Sequence, residues 1–194
     1  MVDYVDVINR KFVDLVILAV LILSMVIVYT AHNPIYYAYG DGKRTLLLSS
    51  ILHSGQIHLY NNITLIALVF AFKTKRTSSL ILVPIIIFGS SFANFTYVLL
   101  NSGQIVGSSG GLFAAFSYSM FDITVEDTLD KIAAIEVLIK LVVLLFFFGF
   151  VPIYFSLGSD HLNIAHTAHV VGILFGTATW FVLKSIRAAA TKLS

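Results

Sequence analysis

Three short strings, far apart in the chain, hold residue types that together suit nucleophilic chemistry. They are His58-Leu59-Tyr60-Asn61-Asn62, Gly107-Ser108-Ser109-Gly110, and a stretch from Ala168-His169 through Gly172 to Gly176. A serine hydroxyl attacks a carbonyl well only when a base takes its proton, and an imidazole is the commonest base. The attacked oxygen becomes an anion that needs preorganised donors. Ser109 offers the hydroxyl and His169 the imidazole, while Asn62, His58 and the Ser109 backbone N–H offer the donors. Asp160, nine residues before His169 on the preceding loop, is too remote along the chain to suggest a third member. A Ser–His dyad is expected, because a carboxylate buried in a bilayer is expensive.

Each string also has a plainer reading. A serine among glycines in an apolar segment ordinarily marks close helix packing. Gly110 and Gly111 would let another helix approach, and Gly172 and Gly176 form a GxxxG surface with His169 on the same face. His58 and Asn62 are spaced i,i+4, so they share a helix face and suit an inter-helix hydrogen-bonded pair. An ionisable group within an apolar segment is nonetheless a functional hypothesis by default.

The chain of 194 residues is 58% hydrophobic and 11% charged, against about 25% charged in soluble domains. Its mean hydropathy is +0.94. This is the composition of an integral membrane protein in a lipid bilayer. A net charge of only +2 suggests no nucleic-acid role, and the lack of cysteine excludes disulfides and thiolate metal sites. No metal or cofactor is expected. Residues 1–194 read as a single domain without a soluble appendage.

Six apolar segments must position the three strings: about 12–30, 57–72, 78–100, 109–121, 137–157 and 163–183. The expected fold is an all-α membrane protein, a bundle of six transmembrane helices. Segments two and four are short for a span, which needs about 20 residues. Arg10 and Lys11 give the first segment the look of a signal peptide, but its length, Asp14 and the lack of a cleavage site favour a retained helix. With the N-terminus inside, the cytoplasmic stretches hold Arg10, Lys11, Lys73, Lys75, Arg76, Lys131, Lys184, Arg187 and Lys192, and the outer ones only Lys43 and Arg44. Nine against two places both termini in the cytoplasm. The loop 31–52 is then external, with Tyr36, Tyr37 and Tyr39 as an aromatic belt. Glu136 and Lys140 read as an i,i+4 pair near the start of the fifth helix.

Helical rise brings the strings to one depth. Ser109 lies thirteen residues before Asp122, His169 fifteen before Lys184, and His58 and Asn62 fifteen and eleven before Lys73. At 1.5 Å per residue these are about 20, 22, 22 and 16 Å above the inner ends of their helices. That is about 10 Å below the outer surface of a hydrocarbon core about 30 Å thick. Helix four is then too short to surface, so the loop 101–108 must descend to meet it. Non-helical backbone is tolerated there only inside protein or beside water.

These motifs, in this order on helices two, four and six, resemble the rhomboid family of intramembrane serine proteases. The resemblance spans about Arg44 to Gly176 and includes His53, which completes a His-x4-His-x3-Asn pattern with His58 and Asn62. It implies Ser109 as nucleophile, His169 as base, and His58 and Asn62 at the oxyanion. It implies that Phe113 packs on the catalytic imidazole, with Gly107, Gly110, Gly172, Gly176 and His53 in support. The implied substrates are single-span membrane proteins, cut by water without a cofactor. The Trp-Arg of many members is absent, with Lys43-Arg44 near its place, and His166 is a position many members share. The short chain resembles the minimal bacterial or archaeal form, which implies a prokaryotic cell membrane. The alternative is an inactive rhomboid-like protein that binds membrane clients, and inactive members typically lack the serine or the histidine or carry proline before the serine. A small transporter is a third reading, disfavoured by the absence of an internal repeat. Oligomeric state is left open.

Overall fold

A computed structural model describes residues 4–31, 46–73, 77–101, 105–126, 138–139, 142–143, 146 and 166–193. The elements are α1 (Tyr4–Ala31), α2 (Leu46–Ser49), α3 (Gln56–Phe72), α4 (Ser79–Asn101), α5 (Ser109–Glu126) and α6 (His166–Leu193). Three of them are long and apolar enough to cross a membrane, over Arg10–Ala31, Ser79–Asn101 and His166–Lys192, and Gln56–Ala71 is a shorter apolar helix. Nearly all of the fifth apolar segment, 137–157, lies outside the described residues, as do Glu136, Lys140, Lys43, Arg44, Lys131, Asp160 and the loop tyrosines.

The helices outrun the apolar segments at several ends. α1 begins before the apolar run, α5 continues past Asp122 to Glu126, and α6 runs on from Lys184 to Leu193. Hydropathy reports where the chain meets lipid, whereas a helix ends where its hydrogen bonds do. Ala188, Ala189 and Ala190 are strong helix formers and carry α6 beyond the apolar stretch.

α5 is the centre of the bundle. Residues 111–119 are buried without interruption, and α5 packs against α4, α6 and α3, while α1 packs on α3 and α4. Missing side chains set these approaches. A Cβ on Gly111 would collide with the carbonyl of Ile86, one on Gly172 with that of Gly110, and one on Gly176 with that of Ala114. Lipid gives helices no hydrophobic drive to associate, so close backbone packing and interhelical hydrogen bonds must supply it. Ser117 accordingly donates to the carbonyl of Ile173 at 2.9 Å.

At one end of the bundle the helices share a polar layer. Lys73 Nζ lies 2.7 Å from Asp14 of α1 and donates to the Thr77 carbonyl at 2.9 Å. Ser79 hydrogen-bonds Asp14, and Thr77 hydrogen-bonds Asp122 of α5. Around α1 the outward side chains, among them Phe12, Leu15, Val20, Leu23 and Ile27, are apolar and exposed, as a lipid-facing helix requires.

Candidate active site

Ser109 opens α5, at the end opposite the polar layer. A helix start leaves backbone N–H groups without partners, and at bilayer depth each needs one. Ser90 of α4 meets part of this need, accepting from the Gly111 N–H at 3.1 Å and donating to the Ser108 carbonyl at 3.0 Å. The approach to α5 is non-helical and its described part is buried at Ile105, Gly107 and Ser108. Gly107 adopts φ +135°, a conformation that glycine reaches without the steric penalty of a side chain. Its N–H donates to the Ser49 carbonyl at 2.8 Å. Asn94 Nδ2 donates to Ser49 Oγ at 3.2 Å and to the Gly107 carbonyl at 3.4 Å.

His169 projects from the first turn of α6. Its Nε2 lies 3.1 Å from Ser109 Oγ. In the tautomer with Nε2 unprotonated, the serine hydroxyl donates to it. The imidazole stacks on Phe113, one turn along α5 from the serine, with centroids 4.2 Å apart and planes at 11°. The contact depends on the approach of α6 to α5 where Gly172 meets Gly110. His166 is exposed, its ring edge-on to His169 at 6.2 Å.

α3 supplies the other wall. His58 Nδ1 lies 3.1 Å from Ser54 Oγ. A Cβ on Gly107 would come within 2.8 Å of His58 Cε1 and 3.0 Å of Nε2, so His58 is flush against the backbone preceding Ser108 and Ser109. Asn62 is 1% exposed, and its Nδ2 has no hydrogen-bond partner among the described residues. His53 lies between α2 and α3 and is fully buried. Its Nε2 is 3.4 Å from Ser108 Oγ, at the long end for a hydrogen bond, and its ring meets His58 edge-on at 5.1 Å. Burial and the neighbouring His58 push the His53 imidazole down to about 3. Among the described residues no group of three or more His, Asp or Glu side chains could hold a metal ion.

A family model described as the Rhomboid domain matches residues 41–186, well over half of the chain. The chain belongs to the rhomboid family. No curated protein matches it. The family and the apolar helices make it an integral membrane protein of all-α class, embedded in a lipid bilayer.

In this rhomboid the structure brings Ser109, His169 and Phe113 into one contact set, and His58, His53 and Gly107 into another beside it. Gly110, Gly172 and Gly176 lie where α5 meets its neighbours. Sequence reasoning missed Ser49, Ser90, Asn94 and the Ser108–His53 contact. Ser90 and Asn94 did leave a signal, being polar residues spaced i,i+4 within an apolar segment, which turn toward protein rather than lipid.

Proposed function

We propose that this rhomboid is an active serine endopeptidase that hydrolyses peptide bonds in or near transmembrane segments of single-span proteins. The observation that carries the reading is the 3.1 Å contact of His169 Nε2 with Ser109 Oγ on an imidazole held flat against Phe113. Ser109 Oγ bonds to the scissile carbonyl carbon as its proton passes to His169 Nε2. The C–N bond then breaks, and His169 returns the proton to the leaving amine. Water attacks the resulting ester with His169 again as base, releasing the new carboxyl end and restoring the serine.

The tetrahedral oxygen takes donors from Asn62, His58 and the Ser109 N–H. Asn62 supports this role, because a buried amide donor without a partner is costly and calls for an explanation. We read residues 1–194 as one domain of six spans, the fifth over 137–157, in a prokaryotic cell membrane with both termini cytoplasmic. No cofactor enters the mechanism.

The test is reconstitution with a panel of tagged single-span proteins and mass mapping of the products. Cleavage by the wild type that disappears with Ser109→Ala supports the reading. Cleavage at an equal rate by folded Ser109→Ala overturns the dyad. Capture of intact clients, with no cleavage and no labelling of Ser109 by a fluorophosphonate, favours the inactive client-binding reading.

A further inference from the structure

Away from the Ser–His pair, a cavity of about 280 Å³ opens between the far ends of α5 and α6. Its inner wall is Tyr118, Asp122 and Trp180, all buried, and its rim is Lys184, Arg187 and Thr191, all exposed. The rim residues follow one another at i, i+3 and i+7, along one face of α6. The apolar run of α6 ends at Leu183, so the rim stands where the helix leaves the hydrocarbon. Lipid phosphates lie at that level.

We propose that this cavity binds the phosphate headgroup of an anionic phospholipid. Lys184 Nζ sits 4.5 Å from the centroid of the Trp180 ring, which holds the ammonium over the inner wall. Arg187 adds a planar fork of donors suited to phosphate oxygens. Among the described residues, two cations face one carboxylate, that of Asp122, which already accepts the Thr77 hydroxyl. The balance favours an anion. A choline headgroup is disfavoured, because Lys184 occupies the aromatic face a quaternary ammonium would need. Basic pockets between helices at a membrane surface are suited to anionic headgroups on general grounds. The site is independent of any proteolysis.

Trp180 is the only tryptophan in the chain, so its emission reports on this cavity alone. The full chain is reconstituted in equal parts of phosphatidylcholine and phosphatidylglycerol, one or the other lipid carrying brominated, quenching acyl chains. Brominated phosphatidylglycerol is expected to quench Trp180 with about a fivefold preference per cation over brominated phosphatidylcholine. Arg187→Gln, which leaves the Trp180 ring untouched, should lose about fivefold of that preference, and Lys184→Gln/Arg187→Gln nearly all of it. Equal quenching by the two lipids in the wild type overturns the proposal, as does a preference unchanged in the double variant. Loss of the preference on adding millimolar inorganic phosphate also overturns it, since the site would then take free phosphate.

Discussion

A serine hydroxyl is almost wholly protonated at neutral pH, so in the proposed dyad Ser109 depends on His169 and His169 has nothing to activate without Ser109. Ser109→Ala and His169→Ala are each expected to remove nearly all turnover, and the double change little more than either, because residues acting as a unit are not additive. Asn62→Ala keeps both and removes one of the proposed oxyanion donors, so a loss of about 10²–10³ in rate is expected, with measurable residual activity. Steady-state cleavage of one membrane substrate by the four variants checks all of this.

The buried contact of His53 with Ser108 makes a separate prediction, about acid stability. The unfolded imidazole takes a proton near 6.5, whereas in the fold it does so only at about 3. The unfolded chain therefore binds more protons between these values, and the contribution of neutral His53 is complete above pH 6.5 and is lost as pH falls toward 3. Replacing it by His53→Gln should flatten the fall of the thermal midpoint across that window, and an equally steep fall in the variant would contradict this account. Ser109, His169, His58 and Asn62 could be picked out by type and spacing. The Ser108–His53 contact could not, because the two lie 55 positions apart and nothing distinguishes Ser108 from any small residue beside a nucleophile.

Among the elements, the seam between α5 and α6 is tightly constrained. A side chain at Gly172 would meet the backbone of Gly110, which cannot turn aside as a flexible side chain could. Gly172→Val should therefore lower stability by at least the 1–3 kcal/mol typical of overpacking, about 2 kcal/mol or more. It should also reduce cleavage by parting His169 from Ser109, read as a loss of activity in protein that still unfolds cooperatively. The spacing of Gly172 and Gly176 was enough to make this seam legible in the sequence. Helix ends were less legible, since α6 continues through Lys184 and Arg187 on propensity rather than hydropathy. Of the supporting shell, α2 and Ser49 gave no warning, because four residues contain no period to read.

For the whole molecule, the polar layer around Asp14 and Lys73 ties α1 to α3, α4 and α5. The pair is partly sheltered, with Lys73 10% and Asp14 27% exposed, which lifts it above an ordinary surface contact. Asp14→Asn and Lys73→Gln should each destabilise by about 1–3 kcal/mol. A double-mutant cycle should return a coupling above about 0.5 kcal/mol, and additive losses would mean that the two act apart. The charge bias makes a prediction at the same scale. Tags on either terminus should resist external protease in intact cells, and a cleaved C-terminal tag would overturn six spans together with the orientation of Ser109. Membrane class and charge bias were legible from composition. The meeting of Asp14 with Lys73 was not, because it depends on how α1 lies against the bundle, and a lipid-facing helix has little patterning to show its inner side.

The burial of α5 bears on how the protein is made. The helix that carries Ser109 is not among the three described helices apolar enough to span by themselves, since serines, glycines and Asp122 interrupt it. A segment of that kind partitions poorly from the insertion machinery into lipid when it arrives alone. Its surroundings are instead other helices of the same chain, which must close around it in the bilayer. α4 leaves the ribosome before α5, but α6 comes after it. Until His169 and Gly172 have been synthesised, Ser109 has neither the base of the proposed dyad nor its second wall. On the proposed mechanism a half-made chain is chemically silent in the membrane it is entering, and reactivity appears only at the last stage of assembly.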